Sequence, residues 1–459
     1  MKYNVVNTKN VHSTQRFDPS FHLSDAITLR EKVENVPFEK VSIADATENV
    51  FLGNIFSRIF VKDAEHGIPY LAASDTVLAN LDTGRYLSKK QASALSYLML
   101  KKDWIVVTCS GTIGNVTYTN SSFENHIATH DLVRIVPNDK KNLRGYLYAF
   151  LASKYGYNQL TQSQFGGVVK HINAEHVRNI KVPCFAEFFQ EEVNGLIQEA
   201  ARLREEATCA LGKAKQTLKL FINADFVKNN YKTSIVKSRN ILSSLQHRLD
   251  PPALMNDGVV AMDKISSRMS TKIIANINAK VSRPGIFKRI YVENGIPYIK
   301  GSEIFLNNPF RRCEHLSRTR TPFVDEMTLY EGQILITCAG SVGNIKMITK
   351  EYEDKNAIGS QDIIRLISND ELFTKEYLFT YLQLPFVNEY IQSMKYGSVI
   401  ERIEPFHVES IPVVTPTKEL SEEISAIVRQ YMDCTYRAFN AEEKAIRMVE
   451  QEIEKWNKH

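Results

Sequence analysis

No stretch of apolar residues in this chain approaches the roughly 18 needed to cross a bilayer, and Met1-Lys2-Tyr3-Asn4 lacks the apolar core of a signal peptide. A membrane role is not expected, and a cytoplasmic location is. Cysteine is sparse: the six residues, at 109, 184, 209, 313, 338 and 434, include no C-x-x-C pair, so neither a zinc cluster nor a redox motif is expected. Cys109 and Cys338 read as small buried thiols in a reducing compartment. Charge of one sign is also short. Lys and Arg number 57 against 52 Asp and Glu, for a net +5, which permits a polyanionic partner without demanding one.

The signatures of catalysis are missing as well. No Pro-Asp dipeptide occurs, although the common magnesium-dependent nucleases need one ahead of an acidic-x-Lys cluster. Asp250-Pro251-Pro252-Ala253 lacks the aromatic residue, and Asn307-Asn308-Pro309-Phe310 one proline, of the element that holds a flipped base in amino-methyltransferases. Both read as turns, and no glycine-rich cofactor loop follows a strand near either. Ser110 does not sit in a hydrolase elbow, because Cys109 stands at the variable position with no Gly before it. Catalytic residues, a metal and a cofactor of its own are therefore not expected.

What is present comes twice. Val106-Val107-Thr108-Cys109-Ser110-Gly111-Thr112-Ile113-Gly114-Asn115 returns 229 residues later as Leu335-Ile336-Thr337-Cys338-Ala339-Gly340-Ser341-Val342-Gly343-Asn344. The pattern reads as a buried strand ending in a tight turn, with glycines permitting positive φ or close backbone approach. Other segments recur in the same order at offsets of 228 to 232. Arg16-Phe17-Asp18-Pro19 answers Arg248-Leu249-Asp250-Pro251, and Phe56–Val61 answers Phe287–Val292. Gly67-Ile68-Pro69-Tyr70 answers Gly295-Ile296-Pro297-Tyr298, and His130–Arg134 answers Gln361–Arg365. Gly166, Val168, Val169 and Ile172 answer Gly397, Val399, Ile400 and Ile403, and His176 answers His407.

Each copy reads as mixed α/β. Short β-branched runs at Trp104–Thr108, Leu132–Val136, Gln333–Thr337 and Ile363–Ile367 predict strands. Helical spacing around Tyr146–Tyr155 and Tyr377–Tyr390 predicts at least one helix against each sheet. From Glu187 to Phe221 no proline occurs, and a heptad-like seam runs through Val193, Leu196, Ala200, Leu203, Ala207, Ala210, Ala214, Thr217 and Phe221. A second seam between Leu420 and Trp456 takes in Ile424, Ile427, Tyr431, Ala438, Ala445, Val449 and Ile453, with Pro412 and Pro416 as a start signal. At 459 residues the chain exceeds one hydrophobic core. The expected division is 1–186, 187–235, 236–416 and 417–459, with each long helix a spacer after a globule.

A globule, a long helix, a similar globule and a second long helix resemble the specificity subunits of type I restriction–modification systems. The resemblance rests on Gly67-Ile-Pro-Tyr, Ser110-Gly-Thr-Ile-Gly, Gly166-Gly-Val-Val followed by Ile172, and Val182-Pro183 before the helix. The second copy keeps Gly295-Ile-Pro-Tyr, Ala339-Gly-Ser-Val-Gly and Gly397-Ser-Val-Ile. It implies an α+β protein with two repeated mixed α/β target recognition domains, each reading one half of a split site in double-stranded DNA. It also implies that the two long helices pair as an antiparallel coiled coil, set the gap between half-sites and dock two methyltransferase subunits. S-adenosylmethionine would belong to those partners, and a restriction translocase subunit is a further member such a complex admits. Another methylation-based phage-defence system, a fused nuclease–methyltransferase partner, and a protein-binding scaffold stay open as alternatives.

Base reading needs Arg, Lys, Asn, Gln or hydroxyl side chains on exposed loops, and phosphate grip needs Lys, Arg and free amides. The loop after Gly67-Ile-Pro-Tyr supplies Ser74, Arg85, Lys89 and Lys90. Its counterpart in the second copy supplies Lys300, Ser302, Arg311, Arg312, Arg318 and Arg320. The turns add Ser110, Thr112 and Ser341. The second glycine sites add Gln164, Lys170 and His171 in one copy, Lys395 and Arg402 in the other. Ala339 and Ser341 replace Ser110 and Thr112, and Glu401-Arg402 replaces Lys170-His171. That is the change of chemistry two different half-sites need. His176 and His407 read as structural hydrogen-bonding residues.

Overall fold

The computed structural model describes residues 26–138, 143–162, 171–223 and 247–457, with the isolated positions Thr8, Ser238 and Ile241. Arg16–Pro19, Gln164, Gly166–Val169 and Lys170 lie outside the described residues. The chain divides into two compact units, residues 1–205 with 437–459, and residues 206–436. The division falls inside both long helices, so each unit takes in part of each.

The described residues of the first unit form ten strands: β1 (Lys40–Ser42), β2 (Thr47–Leu52), β3 (Phe60–Val61), β4 (Gly67–Leu71), β5 (Tyr86–Ser88), β6 (Ile105–Thr108), β7 (Val116–Tyr118), β8 (Ile127–Ala128), β9 (Leu132–Pro137) and β10 (Lys181–Pro183). They form an antiparallel sheet in the order β2-β9-β6-β7, a smaller sheet β3-β5-β4-β8 and the pair β1-β10. Strand β4 pairs with β8 in parallel, Tyr70 opposite Ile127. All four residues of β6 are buried, the pattern of a strand covered on both faces.

The second unit repeats this in the same order. Its strands are β11 (Thr271–Ile273), β12 (Ala279–Ser282), β13 (Tyr291–Val292), β14 (Ile296–Ile299), β15 (Glu314–Leu316), β16 (Ile334–Thr337), β17 (Ile345–Met347), β18 (Ile358–Gly359), β19 (Ile363–Ser368) and β20 (Pro412–Val414). The sheets run β12-β19-β16-β17, β13-β15-β14-β18 and β11-β20, again with one parallel pair, β14 with β18. Pro412, expected to signal the start of the second long helix, is instead the first residue of β20, opposite Ile273. A proline donates no amide, and a two-stranded pair leaves room for it at an edge.

The helical spacing around Tyr146–Tyr155 and Tyr377–Tyr390 belongs to two successive helices in each copy. Arg144–Ala152 is followed by Lys154–Gln162, and Lys375–Leu382 by Pro385–Ser393. In the second copy Pro385 stands at the start of the new helix, where its missing amide costs nothing. In the first the break lies at Ser153, whose hydroxyl donates to the Phe150 carbonyl at 2.6 Å. Tyrosines of the leading helices then tie these layers to the two-stranded pairs. Tyr146 Oη donates to the Pro183 carbonyl at 2.5 Å and Tyr377 Oη to that of Val414 at 2.9 Å. The Asp250 motif, read as a turn, opens a short helix, Pro251–Met255, while Asn308-Pro309-Phe310 is a turn in which Phe310 N donates to Asn308 Oδ1 at 3.1 Å.

The long helices run Glu187–Ile222, 36 residues, and Lys418–Lys455, 38 residues, about 54 and 57 Å at 1.5 Å per residue. Within the first unit Glu192 lies 3.8 Å from Lys444 and Glu199 3.5 Å from Arg437, so the two segments pair antiparallel there. Val193, Ala200, Leu203, Ala207, Ala210 and Ala214 are buried as the seam requires. At its ends the buried residues are Ile197, Leu218 and Ile222 in place of Leu196, Thr217 and Phe221. A seam of strict heptads drifts about 20° per repeat on a 3.6-residue helix, and the burial steps over by one residue to follow. No helix among the described residues is long and apolar enough to cross a membrane.

Candidate nucleic-acid interface

The glycine turn has the same construction in both copies. Thr108 Oγ1 donates to the Thr112 carbonyl at 2.6 Å and accepts from Asn115 N at 3.0 Å. Thr337 Oγ1 likewise donates to the Ser341 carbonyl and accepts from Asn344 N at 3.0 Å. Gly111 and Gly340 have φ of 70° and 71° with open space where a Cβ would stand, so left-handed backbone is what requires glycine there. Gly114 and Gly343 are left-handed and also tight. A Cβ on the first would lie 2.9 Å from the Tyr157 ring, and one on the second 2.9 Å from Gln392 Nε2. The helix after the break therefore seats the turn. In the second copy Asn388 and Gln392 donate to the Gly343 and Val342 carbonyls at 2.7 Å.

On this support Thr112 and Ser341 stand exposed. Ser110 lies opposite His171 in an antiparallel bridge, and Ala339 lies opposite Arg402. Ile172 N donates to the Cys109 carbonyl at 3.0 Å, and Ile403 N to that of Cys338 at 2.9 Å. His171 and Ile172 in the first copy, and Arg402 and Ile403 in the second, are separate from the turn in the sequence and are brought beside it. In the second copy a tight hairpin carries it. Tyr396 and Arg402 exchange main-chain hydrogen bonds at 3.1 and 2.9 Å, Gly397 has φ of 103°, and Val399 at the tip is 94% exposed. Lys395 is paired with Glu401. Arg283, which the sequence reading passed over, reaches the same place and lies 3.3 Å from Glu404.

The remaining expected residues lie in the loops and short helices that connect the strands of the small sheets. Ser74, Lys89, Lys90, Ser302, Arg312, Arg318 and Arg320 are exposed and Arg311 is half-buried. Arg85 is held by the buried carboxylate of Asp75, and Lys300 lies 2.7 Å from Glu314 and 3.8 Å from Glu303. These two cations present themselves with a carboxylate alongside. The link between the small sheet and the turn is a residue not anticipated as a site. Arg58 Nε donates to Tyr70 Oη at 2.6 Å while Nη2 lies 3.7 Å from Asp131, whose carbonyl accepts from Cys109 N at 3.2 Å. Arg289 repeats this with Tyr298 at 2.8 Å and Asp362 at 3.6 Å. The Phe56–Val61 repeat contained the signal, but as a matched motif without an assigned task.

Several groups are excluded from chemistry by their surroundings. Burial pushes the Cys109 thiol up to about 12, so a nucleophilic thiolate does not form at neutral pH. His176 and His407 are cap residues. Asn173 N donates to His176 Nδ1 at 3.3 Å and Glu404 N to His407 Nδ1 at 2.9 Å. Burial lowers the pKa of both rings, and the neutral form is the one able to accept. No group of acidic, His and Cys residues able to hold a metal occurs among the described residues.

The glycine turn and the residues beside it are thus repeated on two copies of one fold. The family described as type I restriction modification DNA specificity domain matches residues 36–184 and 272–446. The S subunit of a type I restriction-modification system from M. genitalium overlaps 92% of this chain and 96% of its own at 12% identity and a TM-score of 0.37. The HsdS subunit from Thermoanaerobacter tengcongensis overlaps 92% and 96% at 15% identity and 0.27. Overlaps at those scores add nothing to the family match. No curated protein matches in sequence. With the matched residues spanning most of its length in two blocks, the chain belongs to the type I restriction modification DNA specificity domain family.

Proposed function

We propose that this chain reads a bipartite target in double-stranded DNA, one repeat per half-site, as the specificity subunit of a type I restriction–modification complex. The observation that carries the reading is a fixed frame with exchanged surface residues. The turn and its threonine brace are the same twice, while Ser110, Thr112 and His171 are replaced by Ala339, Ser341 and Arg402. A frame held constant under different donors and acceptors is what two different half-sites require. The recognition domains are residues 1–186 and 236–416, with 187–235 and 417–459 as spacers that set the gap. The subunit is non-catalytic. Methyl transfer and S-adenosylmethionine belong to two methyltransferase subunits docked through the helices, with a translocase joining where cleavage is required, all in the cytoplasm.

The test is binding of labelled duplex DNA by the chain assembled with its methyltransferase partners. One bipartite site should compete far better than a scrambled duplex. Equal competition by all duplexes, or no DNA binding in an intact complex, would make the repeats a protein scaffold instead.

A further inference from the structure

Surface residues that differ between the copies suit reading two sequences; surface residues that stay the same serve something the half-sites share. Arg58 and Arg289 are such a pair. Each guanidinium is fixed by a tyrosine hydroxyl of the Gly-Ile-Pro-Tyr strand, at 2.6 and 2.8 Å, and lies over that ring at 5.8 and 5.7 Å. The aspartate beside each, at 3.7 and 3.6 Å, is beyond hydrogen-bond distance, so it orients the group without occupying its donors. Each side chain is about one-third exposed, at 35% and 34%, and Nη1 of each has no hydrogen-bond partner among the described residues. The irregular straps that carry them, residues 53–59 and 283–290, also hold an isoleucine in water in both copies, Ile55 at 86% and Ile286 at 79% exposure. An exposed isoleucine gives folding nothing at either position, so each arginine has an apolar side chain on the same exposed strap.

From these observations we infer that Arg58 and Arg289 each grip one backbone phosphate of duplex DNA, one in each half-site, irrespective of base sequence. The inference rests on the two-half-site reading. A planar fork with one edge tied down and the other presented is suited to phosphate oxygens. An apolar flank suits the adjoining deoxyribose, since protein contacts to sugar and phosphate position the duplex without reading it. The place fits as well. Asp131 and Asp362 accept from the turn cysteines at 3.2 and 3.4 Å, which puts the arginines next to the surface whose residues differ.

The experiment measures affinity of the full chain, assembled with its methyltransferase partners, for a fluorescein-labelled duplex of random sequence between about 50 and 200 mM salt. Arg58→Ala and Arg289→Ala should each reduce the slope of log affinity on log salt by about 0.9, and the double variant by about twice that. Arg58→Lys should restore the slope, because the slope counts charges at phosphates and not bonds to Tyr70. Melting curves of each variant separate this from a loss of fold. An unchanged slope in folded alanine variants overturns the inference, as does a slope that lysine fails to restore. Intact slopes combined with lost methyltransferase assembly would assign the strap to a protein partner. A wild-type chain with no salt-dependent binding at all would instead sink the proposed function, so the two failures are distinguishable.

Discussion

Arg134 Nη2 donates to the Ala128 carbonyl at 3.0 Å, binding a central strand of one sheet to the parallel strand that closes the other. The same guanidinium takes the carbonyls of Leu98, Thr129 and Leu132, at 3.0 to 3.2 Å. Arg365 does the same for Met327, Gly359, Ser360 and Ile363. Both arginines are among the largest fully or nearly fully buried side chains, and burial lowers each to about 10. They remain charged at neutral pH, with carbonyl dipoles in place of a carboxylate. Arg134→Met should leave several buried carbonyls unpaired and destabilise the first unit by about 3 kcal/mol or more. Urea denaturation measures this, and a loss under about 1 kcal/mol would mean water replaces the guanidinium without cost.

The threonine brace gives a second prediction. Thr108→Val keeps the shape of the side chain but removes a donor to Thr112 and an acceptor for Asn115. The expected cost is about 1–3 kcal/mol, with Thr108→Ser close to wild type. If valine and serine behave alike in thermal melts, the hydroxyl does not hold the turn.

Acid should expose a further contact. Lys154, Tyr155 and Lys32 all donate to Glu454, at 2.8, 2.6 and 2.9 Å, holding its carboxyl down from 4.5 to about 2. A folded-state value below the unfolded one contributes stability fully above the unfolded pKa and loses it as pH falls toward the folded value. The window runs downward from about 4.5. Because the group is about one-third exposed, solvent screening keeps the effect small. Glu454→Gln should lower the melting temperature at pH 7 and narrow its gap to wild type on acidification. A gap that is constant with pH contradicts the assignment.

The arginine run on the second small sheet is testable by charge counting. Replacing Arg311 and Arg312 with alanine should weaken DNA binding and flatten its salt dependence by about one per lost phosphate contact. Lost preference at one base pair with the slope intact would make one of them a base reader. No change in either would remove this loop from the interface.

Modularity predicts the outcome of a domain exchange. Substituting residues near 20–186 with the corresponding part of a relative should alter one half-site of the methylated target and leave the other. Mapping methylated adenines in host DNA reads this out, and a simultaneous change in both half-sites would contradict independent reading.

Much of this architecture was legible because the duplication made one sequence into two. Matched glycines at 111 and 340 named a backbone conformation, while the bracing task of the matched Thr108 and Thr337 emerged only in the fold. The strand spans from Ile105 and Ile334 followed from unbroken apolar runs. The long helices were visible in their period, although the seam slipped at Leu196, Thr217 and Phe221, where helix geometry and heptad spacing part company. Less legible were the helix break at Ser153 and the strand at Pro412. The strand at Pro412 depends on Ile273, far away in the chain, and the break at Ser153 is a local hydroxyl bond that no periodicity marks.

The sequence by itself determined the repeat, the turn and the family, because each is written in local residue types at constant spacing. Only the tertiary structure decided what each arginine does. Arg134 is locked among carbonyls, Arg85 is held by Asp75, and Arg58 keeps one edge toward solvent. In the sequence the three look alike, since burial and pairing come from residues that only folding brings near. The meeting of Ser110 with His171, and of Ala339 with Arg402, is likewise a product of the fold. About sixty residues separate the members of each pair along the chain, and what joins them is a bridge across the end of a buried strand.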